Sequence, residues 1–193
     1  MILGYHLIAH EINQRILEVP MKLGLLNPCA EYQDIFQINY FPADYKMPRR
    51  TSDIYISIDG FLIISPKVYD YLLGCGYQNL EFRKLPNDDF FWMITSNFVK
   101  YDAVTRGTRF LSYSEKCEGY REIVGATPVC LLENNEIGDN FFRTDICFGN
   151  NGRSPVYCIG ISTYEKLKKE NFKGLVVDKI LDKYKLIPPT KLP

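Results

Sequence analysis

FLIISPKVYDYLLGCGYQNLEF, residues 61–82, decides the reading of this chain, because VYCIGISTYEKLKKENFKGLVV, residues 156–177, follows its pattern without a gap 95 residues later. Ile64 falls on Ile159, Tyr69 on Tyr164, Asp70 on Glu165, Leu72 on Leu167, Tyr77 on Phe172 and Leu80 on Leu175. In the first copy, residues 61–64 form an apolar run too short for a helix and rich in β-formers, which reads as a strand buried on both faces. Ser65 and Pro66 then open a helix: serine accepts from the free amides of the first turn, and proline at the first position loses no bond. Val68, Tyr69, Leu72 and Leu73 share one helical face. Gly74 and Gly76 are read as its end, and residues 80–82 as a second strand. In the second copy the cap is placed at Ser162, with Glu165 closing a capping box. The chain thus reads as one strand, helix, strand unit used twice.

Outward from these units the pattern is β-rich. Residues 1–30 carry mixed helix and strand signals that close at a turn on Asn27-Pro28. Ile35 to Phe41 alternates and predicts a half-buried strand, and so does Asp53 to Ile58. Asp59-Gly60 is a tight turn into the first unit, and residues 41–51 read as loop. Pro86 to Asp89 is a turn before strands over 90–94 and at Phe98-Val99. Residues 100–126 read as an irregular connector with one strand over 110–113. Val129 to Leu132 reads as a strand, Asn134 to Asp139 as a loop, Phe141 to Phe148 as an alternating strand and Gly149 to Gly152 as a hairpin turn. The tail from Ile187 to Pro193 is read as frayed. The expectation is an α+β fold, a mostly antiparallel β-sheet with two repeated strand-helix-strand units and few short helices. Its halves, 1–99 and 100–193, form one globule.

Composition narrows the function. The chain has 193 residues, enough for a full core, and 23 basic against 23 acidic residues. That balance argues against a nucleic-acid or anionic-membrane partner. No apolar run approaches the roughly 20 residues that span a bilayer. MILGYHLIAHE at the start has neither a basic leader nor a small-residue cleavage site, so a soluble, cytoplasmic protein is expected. Cys29, Cys75, Cys117, Cys130, Cys147 and Cys158 are then read as reduced thiols, with Cys147 and Cys158 buried in strands.

No catalytic motif emerges. His6 and His10 stand four apart, the spacing of metal ligands on one helix face, but no third ligand is identifiable. Cys117 and Cys130 lack the close cysteine neighbours of a zinc knuckle. A cysteine nucleophile needs a base; both histidines lie more than about a hundred residues from Cys117 and only about twenty from Cys29, and separation in sequence does not decide proximity. Gly74-Cys75-Gly76 ends a helix where a phosphate-cradling loop would start one. Asp88-Asp89 before Phe90-Phe91-Trp92 reads either as an acidic and aromatic binding patch or as a turn leading into a core strand. No cofactor and no metal is expected.

Several stretches resemble the immunity proteins of bacterial polymorphic toxin systems, in particular immunity family eleven and its relatives. Residues 59–85, with SPKVYDYLLGCGYQNLEFRKL, resemble that family's serine, helix, leucine, glycine and short-strand unit. Residues 139–180, DNFFRTDICFGNNGRSPVYCIGISTYEKLKKENFKGLVVDKI, resemble its C-terminal unit, and Cys117-Glu118-Gly119-Tyr120-Arg121 its cysteine-containing insert. The relatives' paired CxxCG knuckles are missing here, so their metal does not carry over. The resemblance implies a non-enzymatic protein that binds a cognate toxin and neutralises it in the cytoplasm. Its contact surface would lie in residues 100–126 or the 134–139 loop, since loops diversify without harming the sheet. An enzyme with an unrecognised Cys/His site, and a scaffold module assembling through an exposed strand, are the alternatives.

Overall fold

Two sheets carry the chain; when it is divided between β5 and β6, and not at the expected residue 99, each half completes its sheet with a strand of the other. The computed structural model describes residues 1–47, 51–133 and 136–182. In the first half come strands β1 (Ile2–Leu7) and β2 (His10–Ile12), short helices α1 (Glu18–Lys22) and α2 (Ile35–Ile38), then β3 (Ile54–Ser57), β4 (Leu62–Ile64), helix α3 (Pro66–Cys75) and β5 (Leu80–Lys84). The second half follows with β6 (Phe91–Thr95), β7 (Phe98–Val99), α4 (Ala103–Arg106), β8 (Arg109–Ser114), β9 (Gly119–Val124), β10 (Phe141–Asn150), β11 (Ser154–Ile159), α5 (Ile161–Lys169) and β12 (Val177–Leu181). The fold is α+β and mostly antiparallel, with the strand, helix, strand unit present twice.

The duplication extends well beyond that unit. One sheet runs β2-β3-β4-β6-β5, and the other contains β7-β10-β11-β1-β12, with β9 and β8 added beside β10. Position by position these are the same sheet. Ile64 pairs with Ile54 and Phe91, and its counterpart Ile159 pairs with Phe141 and Tyr5. Phe82 pairs with Met93, and its counterpart Val177 with Leu7. β2 adds to β3 in parallel, as β7 adds to β10. The first half therefore lends β1 to the second half's sheet, between β11 and β12. The second half lends β6 to the first, between β4 and β5.

Burial follows the same correspondence. Leu7 and Met93, Ile54 and Phe141, Ile64 and Ile159, and Leu72 and Leu167 are equivalent pairs, and all lie in one central core. Each buried leucine contributes about 1.5–3 kcal/mol by leaving water. The alternate residues of the first sheet, Tyr55, Ile63 and Trp92, turn the other way into a second core under residues 12–47. Leu3, Val156 and Cys158 do the same in a third core with Tyr101, Ile123 and Val129.

Local chemistry explains the matching ends. Ser65 Oγ accepts from Val68 N–H at 3.4 Å, and Gly76 closes α3 in the left-handed region at φ 67°. Gly74 lies inside the helix and not at its end. In the second copy Asn171 takes the left-handed place of Gly76, with φ 53°. The N-cap of α5 is Gly160, the counterpart of Ser65, and not Ser162. A Cβ at Gly160 would run into the Gly138 carbonyl, which excludes serine there. The missing cap is replaced from a distance: Asp139 accepts from Thr163 Oγ1 at 2.8 Å and from Lys166 Nζ, putting a carboxylate at the helix N-terminus.

Three other expectations are corrected. Ile35–Ile38 is a helical turn, because Asp34 Oδ1 accepts from Phe36 and Gln37 N–H while Gln37 Oε1 accepts from Asp34 N–H, a capping box that outweighs the alternation. Residues 100–126 are regular, forming α4 and a β8–β9 hairpin. Val129 to Leu132 is no strand; Leu131 makes a single bridge to Tyr101. Residues 134–135 of the expected loop and the tail from Ile187 to Pro193 lie outside the described residues.

Candidate functional site

The residues singled out for chemistry do not converge. His6 lies on β1 and His10 on β2, in different sheets. Burial pushes the His6 pKa down, against a smaller opposing pull from Asp178, and the His10 ring rests edge-on against Tyr55 at 5.5 Å. Among the described residues no three His, Cys, Asp or Glu side chains are placed to hold a metal ion. Asp88 is in a turn, accepting from Asp89 N–H, and Phe90 and Trp92 are core residues, so the acidic and aromatic run is not an exposed patch. Cys130 and Cys158 are buried free thiols, Cys147 is half-buried and Cys75 exposed. Cys29 and Cys117 are not free: they form a disulfide across 88 residues of sequence, with Cα atoms 5.4 Å apart.

That disulfide joins the segment between β2 and β3 of the first half to the segment between β7 and β10 of the second, each inserted between a parallel strand and its neighbour in the sheet. The β8–β9 hairpin is latched by it, and by Arg121 to Glu31 at 3.0 Å, onto the turn before α2. Beyond the latch β9 pairs with β10 and buries Ile123, while β8 is the exposed edge. Phe110 is 40% exposed, Leu111 36% and Tyr113 57%. In an unbroken strand residues 110 and 113 face opposite sides. Ser112, at φ 56°, breaks the alternation, and both rings lie against Tyr120, at 5.3 Å for Phe110 and 5.0 Å for Tyr113. A left-handed serine costs about 1–2 kcal/mol. The strain assembles a solvent-facing aromatic cluster, which burial of a core would not require. The sequence carries its signal in Arg109 to Val124, two β-rich runs around Ser114-Glu115-Lys116-Cys117-Glu118-Gly119, of which only 110–113 reads as a strand within an irregular connector.

A cleft of about 720 Å³ opens beside α1, with Arg15, Met21, Lys22, Leu26, Ala30 and Asp59 among its lining residues. Ala30 and Glu31, on its wall, directly follow the disulfide-bonded Cys29 and so connect the cleft to the hairpin tip. Asp59 is buried; its Oδ2 accepts from Leu17 N–H at 2.7 Å and its Oδ1 from Ser57 Oγ at 2.6 Å. Burial pushes its carboxyl pKa up, against the pull of those hydrogen bonds. On the far side of α1, Val19, Leu23 and Leu25 are exposed beside a shallower cleft.

Among the described residues no helix is long and apolar enough to cross a membrane. Compared with protein families, with curated proteins and with solved structures, the chain finds no match.

Proposed function

We propose that this chain is an immunity protein, which binds a cognate bacterial toxin and neutralises it by protein–protein contact. The observation that carries the reading is the exposed pair Phe110 and Tyr113 on the β8–β9 hairpin, both set against the half-buried Tyr120, on an element outside the duplicated body. Exposed aromatic side chains held rigid by a scaffold are the usual anchors of tight interfaces. The hairpin falls within residues 100–126, one of the two stretches, with 134–139, expected as contact surface, but as a regular element and not as the loop that the expectation assumes. The duplicated body would hold the hairpin still, and an interface on the order of 1,600 Å² would cover or flank the toxin's active site. A scaffold that grows through edge strands fits less well, since Ser112 kinks the edge strand β8 midway.

The disulfide bears on place. Such bonds persist in oxidising compartments and are rare in reducing cytosol, so Cys29–Cys117 favours an encounter outside the cytoplasm. Alkylation of the chain in intact cells separates the two: protected Cys29 and Cys117 support the oxidising compartment, and two further reactive thiols support the cytoplasm.

Purification of the tagged chain from its native cells tests the function itself. A stoichiometric companion carrying a toxin domain supports the reading, and its absence while the toxin is expressed contradicts it.

A further inference from the structure

The cleft beside α1 has a charge that its surroundings leave unbalanced. Asp59 is 6% exposed, and the groups that donate to it, Leu17 N–H and Ser57 Oγ among them, are backbone amides and a hydroxyl, all neutral. The other carboxylates lining the cleft are already paired: Glu18 with Lys22 at 2.5 Å and Glu31 with Arg121 at 3.0 Å. Asp59 is thus the one lining carboxylate without a described cation against it, and it is also the one withdrawn from water. A buried carboxylate lacking a counter-charge is costly to keep ionised. Around it Met21, Leu26, Pro28 and Ala30 supply apolar wall. The volume, about 720 Å³, falls in the range that holds a side chain or small ligand.

We infer that this cleft receives a lysine or arginine side chain, with its aliphatic stem along Met21 and Leu26 and its charge on Asp59. Long basic side chains combine an apolar stem and a charged head in this way. Arg15, exposed, then meets a carbonyl or carboxylate of the same segment. The source of the side chain rests on the function proposed above: a segment of the toxin, reaching the cleft from the hairpin to which its wall is tied by Cys29–Cys117.

The site itself is tested without any toxin. The full chain is followed by ¹H–¹⁵N NMR while N-acetyl-arginine methylamide is added, with the citrulline analogue as neutral isostere. The expected result is a saturating shift of the Leu17 amide, which donates to Asp59, with the arginine probe and none with citrulline. Lys22→Glu, at an exposed position, tightens the arginine probe by about threefold, the effect of reversing one surface charge. Asp59→Asn abolishes the shift. Because that substitution also disturbs the Leu17 contact, Lys22→Glu provides the independent check. Equal shifts with citrulline, no shift with arginine, or unchanged affinity in Lys22→Glu would overturn the site and leave the immunity reading standing. Probe binding with no toxin captured would do the reverse.

Discussion

Tyr5 lies against Tyr164 with ring centroids 4.2 Å apart, and the equivalent residues of the other half, Phe91 and Tyr69, lie 4.1 Å apart. Each pair joins a lent strand to the helix of the half that receives it. Removing the helix ring, Tyr164→Ala or Tyr69→Ala, is expected to cost about 2–3 kcal/mol in each case, by lost burial and ring contact. Urea denaturation checks it. Costs that differ by more than the whole effect would show that the two pairs are not equivalent.

Strand exchange also predicts the behaviour of fragments. Residues 1–86 lack the strand that completes their sheet, and residues 87–193 lack theirs, since β6 and β1 come from opposite halves. Expressed apart, each fragment is expected to aggregate or stay unfolded. Expressed together, they are expected to copurify one to one. Two independently folded fragments would contradict the exchange.

Asp139 sets a pH dependence. Its hydrogen bond from Lys166, helped by that from Thr163, holds its pKa below the usual carboxylate range, against the opposing push of burial. A depressed folded value means that the contribution is complete above the unfolded pKa, about 3.9, and is lost as pH falls through the folded one. Asp139→Asn is therefore expected to lower stability at pH 7, and its deficit should close on acidification below about pH 4. Thermal unfolding of both proteins across pH 2–7 measures it.

At Ser112 the backbone itself can be tested. Ser112→Gly relieves the left-handed strain and is expected to raise stability by about 1 kcal/mol with the tyrosine near-ultraviolet dichroism unchanged. Ser112→Val, which resists positive φ, is expected to lower stability and alter that dichroism.

Much of this fold is legible in the sequence, and the limits have physical causes. The unit at 61–82 and 156–177 stands out because a buried strand and an amphipathic helix force the same spacing on both copies. The lent strands are hidden: GYHLIA at 4–9 and FFWMIT at 90–95 share only the pattern that a sheet needs. Ten residues separate Ile54 from Ile64 but 18 separate Phe141 from Ile159, so the longer β10–β11 hairpin breaks the alignment. At the left-handed positions glycine and asparagine trade places, Gly76 for Asn171 and Asn79 for Gly174, because both residues tolerate positive φ. The aromatic cluster is hidden because one serine out of phase defeats a period-two pattern. Asp59 reads as a turn residue, and only the fold places it on the wall of the cleft.

The central claim is tested most directly by the affinity of the purified chain for a toxin-domain companion recovered with it from native cells, measured by calorimetry for the wild type and for Phe110→Ala/Tyr113→Ala. The account predicts one-to-one binding by the wild type and a loss of about 100-fold or more in the double variant, as expected of two anchor side chains. No binding by the wild type, or equal affinity in the two proteins, would contradict it.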